Sequence, residues 1–233
     1  AYPALASAGI AFEEIASPEA FRESPRRAWA FYGHRLALYR RTTPHEGFAR
    51  LRRWAERCAH GATVFTSNVD GQFQRAGFAA DAVHECHGSI HWLQCLRPCS
   101  EHLWPADGLE PDVDEQSFEL RGELPRCPRC RGLARPNILM FGDGGWLEAR
   151  TSGQALHQRE WLDRAERPVV VEIGAGTAIP SVRYFGERVC RRFGATLVRI
   201  NPRDSAVPGP HDIALPMAAG EALAAIDAMM GGT

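Results

Sequence analysis

Seven cysteines punctuate the 233-residue sequence, and four of them fall into two close pairs. Cys127-Pro-Arg-Cys130 is a C-x2-C followed by Arg131-Gly132, and Cys95-Leu-Arg-Pro-Cys99 is a looser C-x3-C. Two thiolates one tight turn apart, with a glycine that lets backbone amides reach the sulfurs, make half of a zinc knuckle. Together Cys95, Cys99, Cys127 and Cys130 supply four soft ligands with tetrahedral potential, and zinc is the default ion for such a set. A redox C-x-x-C or unrelated buried thiols is the competing reading, and the pairing of the pairs favours zinc. His91 and His102 lie near enough in sequence to stand in as ligands, although a solvated surface histidine is the simpler role for each. The odd cysteine count, with no charged-then-apolar stretch opening the sequence, argues against a disulfide framework and makes a cytoplasmic location the expectation.

A second set of polar residues stands at the ends of short apolar runs. Ser67-Asn68-Val69-Asp70 follows Thr63–Thr66, His87-Gly88-Ser89 follows Val83–Cys86, and Gly142-Asp143 follows Asn137–Phe141. Gly174-Ala175-Gly176-Thr177 follows Val169–Ile173, and Asn201-Pro202-Arg203 follows Thr196–Ile200. The glycine-rich stretch at Gly174 could cradle a phosphate or pyrophosphate with backbone amides. Each residue alone is ordinary turn chemistry. Five such strand ends together point to a ligand crevice, because open α/β sheets bind ligands at the carboxyl ends of their strands.

These residues need a scaffold, and the pattern supplies one. Ser17-Pro18-Glu19, Ser24-Pro25 and Pro44-His45-Glu46 are helix starts within a helical stretch over 17–60. Trp29, Tyr32, Leu36 and Tyr39 recur at helical spacing and read mainly as core. The five apolar runs predict strands, and helices are predicted over 153–165, 180–194 and 218–230. The fold class is therefore α/β: a Rossmann-like parallel sheet with helices on both faces, interrupted over about residues 90–136 by a small inserted zinc-binding module.

Composition excludes several classes. Hydrophobic residues make up 45% and charged residues 24%, values of an ordinary globular domain. With 27 basic and 28 acidic side chains, the charge of −1 gives no general attraction to nucleic acid or anionic membrane. No apolar run reaches the roughly 18–20 residues that span a bilayer. Arginines do gather around the second cysteine pair (Arg121, Arg126, Arg129, Arg131, Arg135), but such runs usually form a solvated face, so nucleic acid is not expected as a partner. Every basic residue is arginine; the sequence holds no lysine and hence no side-chain amine for acylation or Schiff-base chemistry.

In order and at suitable spacing, the motifs resemble those of sirtuins. Thr66-Ser67-Asn68-Val69-Asp70-Gly71 is similar to the family's Thr-Gln-Asn-Ile-Asp, and His87-Gly88-Ser89 to its His-Gly-Ser, with Cys95 at the first zinc cysteine. Arg135-Pro136-Asn137 and Met140-Phe141-Gly142-Asp143 are similar to its Arg-Pro…Phe-Gly-Glu stretch. The resemblance implies NAD-dependent removal of acyl groups from lysines of a protein or peptide substrate, with NAD and zinc as cofactors. Asn68 and Asp70 would hold the nicotinamide end, and Ser67, Gly174, Ala175, Gly176 and Asn201 other parts of NAD. The acyl oxygen would attack the ribose carbon as nicotinamide leaves, giving an alkylimidate. His87 would be the general base for the ribose hydroxyl that attacks it next. Phe141 and Gly142 would meet the substrate strand. Tyr32-Gly-His-Arg35 resembles the Tyr-x-x-Arg of members that prefer acidic acyl groups; its i, i+3 spacing puts a phenol and a guanidinium on one helix face, where they could clamp a carboxylate.

The implied organisation is a helical segment, 1–60, continuing a large Rossmann-like NAD domain made of 61–89 and 137–233, with the zinc-binding module at 90–136. Several positions depart from the family: Ser67 replaces a glutamine, Phe73 a histidine, and Asp143 a glutamate, and the Gly-Thr-Ser loop reads Gly-Ala-Gly. The family's Gly-Ala-Gly-Ile-Ser is not matched by Ala8-Gly9-Ile10-Ala11, which lacks a preceding strand, so Ala1 is expected just downstream of that motif. Two other readings stay open: an ADP-ribosyltransferase or NAD glycohydrolase on the same scaffold, and a degenerate, non-catalytic zinc-binding member.

Overall fold

Short capped helices lead the chain in the computed structural model, which describes residues 9–231. The expectation about Ala1 lies outside the described residues. Helices α1 (Phe12–Ile15), α2 (Pro18–Glu23), α3 (Pro25–Arg41) and α4 (Glu46–Arg57) come first, then β1 (Val64–Thr66), α5 (Gln72–Arg75), β2 (Val83–Glu85) and β3 (Gly88–Cys95). The small strands β4 (Trp104–Pro105), β5 (Val113–Asp114) and β6 (Glu119–Leu120) precede β7 (Ala134–Ile138). Then follow α6 (Ala149–Arg164), β8 (Val169–Ile173), α7 (Ser181–Phe193), β9 (Thr196–Ile200), β10 (Ile213–Leu215) and α8 (Ala219–Met229).

The helix starts follow from local chemistry. Ser17 Oγ accepts from the Ala20 amide at 3.2 Å, with Pro18 at the first helical position. At α4 the cap is the imidazole of His45, whose Nδ1 accepts from the Gly47 amide at 3.0 Å. Ser24 caps nothing with its side chain, so α3 starts on Pro25 alone.

The chain divides into two units. One holds the residues up to Thr43, Asn68–Gln72 and Glu85–Gly153; the other holds Pro44–Ser67, Phe73–His84 and the residues from Gln154 on. In the first unit, α3 lays Trp29, Phe31, Tyr32 and Leu36 into a core with Phe21, Ile90, Leu93 and Ile138. The buried indole of Trp29 donates to the Ala134 carbonyl at 2.9 Å. The sheet of this unit is β4–β3–β7 and it is antiparallel.

That sheet corrects one expectation. Asn137–Phe141 was to be a strand of the parallel sheet; instead residues 134–138 form β7, antiparallel to β3, with Ser89 facing Asn137 and Cys95 facing Ala134. The cause is cross-strand pairing of buried amides. Asn137 Nδ2 donates to Gln94 Oε1 at 2.9 Å and to the Leu147 carbonyl at 2.9 Å, and Gln94 Nε2 donates to the Gly145 carbonyl at 2.8 Å. Buried polar groups need such partners, and this pairing supplies them for both side-chain amide nitrogens and for Gln94 Oε1. The stretch from 90 to 136 is accordingly richer in strand than its polarity implied.

The second unit contains the parallel sheet, in the order β10–β9–β8. Val170 and Glu172 face Gly186 of α7, while Val171 and Ile173 pack toward Leu223 of α8 and Leu51 and Trp54 of α4. Strand side chains alternate faces, so helices cover this sheet on both sides as expected. On the α7 face, Arg199 grips Glu172 across the strand pair through Nε at 2.6 Å and Nη2 at 3.0 Å, and reaches Glu187 at 3.2 Å.

Candidate functional site

The four paired cysteines converge. Their sulfurs lie within 4.8 Å of one another, Cys95 and Cys130 at 3.6 Å and Cys99 and Cys127 at 3.7 Å. Tetrahedral zinc with bonds of about 2.3 Å separates its sulfurs by about 3.8 Å, so the donor set fits that ion in both chemistry and size. β3 delivers Cys95 at its last residue. Cys127 and Cys130 sit on a turn closed by Cys127 N to Gly132 O and Arg131 N to Cys127 O, and the Gly132 amide approaches Cys130 Sγ at 3.4 Å. Burial raises the Cys127 thiol, but backbone amides at Cys130 and Arg129 outweigh it and bring it down to about 7. That turn favours the thiolate a metal needs. Neither histidine considered as a substitute belongs to the cluster: His91 turns its Nε2 to the Asp70 carbonyl at 2.9 Å, and His102 stacks on Trp104.

At the opposite end of β3 stands His87. Gly88 follows it with φ of +78°, and a Cβ there would lie 2.1 Å from the Asn137 carbonyl oxygen, so glycine is required. The His87 carbonyl accepts from Leu139 N at 3.0 Å. The imidazole is half-buried, and burial lowers its pKa from 6.5, which keeps the ring neutral near neutral pH. Asn68 is exposed, and the Val69 carbonyl beside it accepts from Ile90 N at 3.0 Å, three residues past His87. Asp70 Oδ1 accepts from Gln72 N at 3.0 Å. Asn68, Asp70 and His87 thus belong to one unit and hang on one strand.

The same unit carries Phe141 and Gly142 on a loop with φ of +64° at Gly142. Phe141 meets Phe12 edge to face at 6.0 Å, and its amide donates to the Ala16 carbonyl. The loop is pinned from inside: the Arg135 guanidinium donates to both oxygens of Asp143 at 2.7 and 2.8 Å, with both side chains fully buried. The phenol of Tyr32 is not on the surface. Tyr32 is 3% exposed, stacked on Phe21 at 5.5 Å, and burial drives its pKa well above the ordinary range. Arg35 lies 5.2 Å from the Phe31 ring and 5.5 Å from the Tyr39 ring.

In the second unit the strand ends of β8 and β9 come together. Asn201 Nδ2 donates to the Ala175 carbonyl at 3.0 Å, and Gly174, with φ of +65°, donates its amide to Ile200. Arg183, in the first turn of α7, adds Nε and Nη2 to the same Ala175 oxygen at 3.1 and 2.9 Å. With that carbonyl turned inward, Gly176–Ile179 stays exposed ahead of α7, which leaves backbone amides for a phosphate. Such a turn could hold the pyrophosphate of a dinucleotide. Ser67, at the end of β1, belongs to this unit as well.

Comparison with known proteins decides the family. The Sir2 family pattern matches residues 8–163. This chain belongs to the Sir2 family. An NAD-dependent protein deacylase 2 of Pyrobaculum aerophilum is 31% identical over 217 residues, 91% of this chain and 76% of that protein. An NAD-dependent protein deacylase of Pyrococcus furiosus is 30% identical over 213 residues, 91% and 78%. Among solved structures, one of Sir2Tm bound to a propionylated peptide has a TM-score of 0.67 at 22% identity, covering 98% of this chain and 90% of that one. Another, Sir2 bound to acetylated peptide, has a TM-score of 0.66 at 21% identity, covering 94% and 84%. These last two show the fold alone.

Within this Sir2 chain, the supporting residues that sequence reasoning missed are Gln94, Arg183 and the Glu85–Arg150 ion pair, in which Arg150 also lies over Trp92 at 5.4 Å. Gln94 and Arg183 have no sequence signal, since, apart from the Cys95 carbonyl beside Gln94, their partners lie eight or more residues away. A signal did exist for Arg135 and Asp143, which flank the Phe-Gly motif at i, i+8. No helix among the described residues is long and apolar enough to cross a membrane.

Proposed function

We infer that this protein is an NAD-dependent protein deacylase acting on acyl-lysine. The observation that carries this reading is His87, a half-buried imidazole heading the strand that also holds the Asn68–Asp70 loop, in a chain of the Sir2 family. When bound, NAD supplies the ribose carbon that takes the acyl oxygen as nicotinamide departs. Asn68 and Asp70 orient the nicotinamide end. Gly174, Ala175, Gly176 and Asn201 set the turn for the phosphates, and Ser67 takes the remaining cofactor contact. His87 accepts, at an imidazole nitrogen, the proton of the ribose hydroxyl that completes acyl transfer. Phe141 and Gly142 receive the peptide as an added strand, where main-chain bonds give affinity with little side-chain selectivity. Cys95, Cys99, Cys127 and Cys130 would hold a zinc ion in a structural role, since the four thiolates would leave no open position for substrate or water. A cytoplasmic location belongs to this reading.

The test is product analysis on acyl-lysine peptides with NAD: nicotinamide and O-acyl-ADP-ribose in equal amounts, with O-acyl-ADP-ribose formation lowered about 10²–10⁴-fold in His87→Ala. Free ADP-ribose or ADP-ribosylated protein as the main product would replace this reading by a glycohydrolase or transferase. The Tyr32–Arg35 pair predicts faster removal of succinyl than of acetyl. The phenol of Tyr32 is packed in the core and takes no part, so the grip on a carboxylate falls to Arg35, and Arg35→Gln should erase the succinyl preference.

A further inference from the structure

The loop that carries Asn68 and Asp70 is short, and two polar side chains outside its motif hold it. From one side comes His91 in β3. Its Nε2 lies 2.9 Å from the Asp70 carbonyl oxygen, and a carbonyl only accepts, so Nε2 carries the hydrogen. The same ring occupies the space beside Gly71: a Cβ there would sit 2.8 Å from His91 Cδ2 and 3.0 Å from Nε2, and Gly71 already has φ of +69°. From the other side comes Gln72, only 7% exposed, whose Nε2 donates to the carbonyls of Tyr39 at 3.1 Å and Thr42 at 3.4 Å. Those carbonyls end α3, where no intrahelical donor remains. Gln72 also gives its backbone amide to Asp70 Oδ1. Asp70 is thus fixed at both its carbonyl and its carboxylate. Gln72 bears a cost for this, because its Oε1 is buried without a hydrogen-bond partner.

We propose that His91 and Gln72 are positioning residues that set the Asn68–Asp70 loop for NAD, through the imidazole hydrogen bond to Asp70 and the glutamine anchor on the end of α3. The proposal rests on the deacylase reading for its consequence in catalysis, but its geometry and its cofactor affinity can be read separately. Removing the imidazole frees the Asp70 carbonyl and lets the backbone at Gly71 drop into the vacated space. Replacing Gln72 by leucine keeps apolar volume, removes the orphaned oxygen and cuts the anchor. A group that served packing alone would lower stability and leave cofactor affinity untouched.

The experiment has three readouts on the whole chain and on His91→Ala, His91→Gln and Gln72→Leu. Hydrogen exchange of the amides at 68–72, without cofactor, should quicken about tenfold in His91→Ala and Gln72→Leu, the worth of one hydrogen bond, and return close to the parent in His91→Gln. Calorimetric Kd for NAD should rise about tenfold in the same two variants, with rescue by glutamine at position 91 and with KM for the acyl peptide unchanged. Gln72→Leu should melt no lower than the parent. Unchanged loop exchange, unchanged NAD affinity, or an affinity loss that merely follows a fall in Tm overturns the proposal, as does a parent chain that binds no NAD. A parent that binds NAD and forms no O-acyl-ADP-ribose instead sinks the deacylase reading, while the exchange and affinity readouts still decide the role of His91 and Gln72.

Discussion

The two units hold their functional loops by different physics. In the first, the antiparallel strands β3 and β7 run between a four-cysteine cluster and His87, and buried polar pairs lock the loops between them: Arg135 with Asp143, and Gln94 with Asn137. In the second, the parallel strands β8 and β9 present their ends side by side, and a single carbonyl, that of Ala175, gathers Asn201 and Arg183. The first arrangement concentrates its stability in a few charged or metal-bound contacts. The second spreads it over strand register, helix cover, the Arg199–Glu172 pair beneath the sheet and several hydrogen bonds at the strand ends. Damage should therefore be abrupt in the first unit and graded in the second.

Metal removal is the largest expected effect. Chelation, or Cys127→Ser, should release about one zinc per chain and unfold the region around β3 and β7, since binding energy at such sites is folding energy, on the order of 10 kcal/mol in isolated zinc modules. Hydrogen exchange would report it, with protection in β8 and β9 surviving. Uniform loss of protection throughout the chain would erase the contrast between the units. Next is His87→Ala, with turnover down by about 10²–10⁴-fold and Tm close to the parent's. Arg135→Met leaves the Asp143 carboxylate buried and unpaired, for a loss of about 3–5 kcal/mol in denaturant unfolding. Adding Asp143→Ala to Arg135→Met should recover much of that loss. Asn201→Ala deletes three neutral hydrogen bonds, one to the Ala175 carbonyl and two from the Arg203 and Asp204 amides, and should cost about 2–3 kcal/mol, with weaker NAD binding as its clearer sign.

The smallest effect is one of pH. Burial lowers the pKa of His87 below 6.5, so the base stays neutral further into acid and the acid limb of kcat/KM falls below that value. The unfolded chain takes up this proton before the folded chain does, so His87 contributes stability above pH 6.5 that declines as pH falls through its ordinary value. An acid limb above 6.5 would contradict the assignment of the base.

Much of this was legible in the sequence, for local reasons. The cysteine spacing, the Ser17-Pro18 cap, the glycines at 88, 142 and 174 and the apolar runs of β8 and β9 act over a few residues, and a linear reading reaches them. β3 was missed because His91 and Gln94 break its apolar pattern; both are satisfied by partners elsewhere in the chain, Asp70 and Asn137. The same blindness placed Asn137–Phe141 in the wrong sheet. Tyr32 stood open between a core aromatic and half of a carboxylate clamp because i, i+3 spacing fixes a helix face and not what covers it; here Phe21 and Phe31 cover it. Local pattern finds the groups that can do chemistry, while the partners that hold them come from the fold.

The loop after β7 combines a rigid base with a yielding tip. Its roots at Asp143 and Leu147 are clamped from beneath, yet Leu139 and Phe141 stand 39% exposed and a side chain added at Gly144 would meet open space. The side chains at 139 and 144 can consequently drift, or be randomised by design, without taxing the scaffold, while Phe141 keeps its contact with Phe12. New acyl or peptide tastes could arise there in single steps while the catalytic imidazole stays where it is.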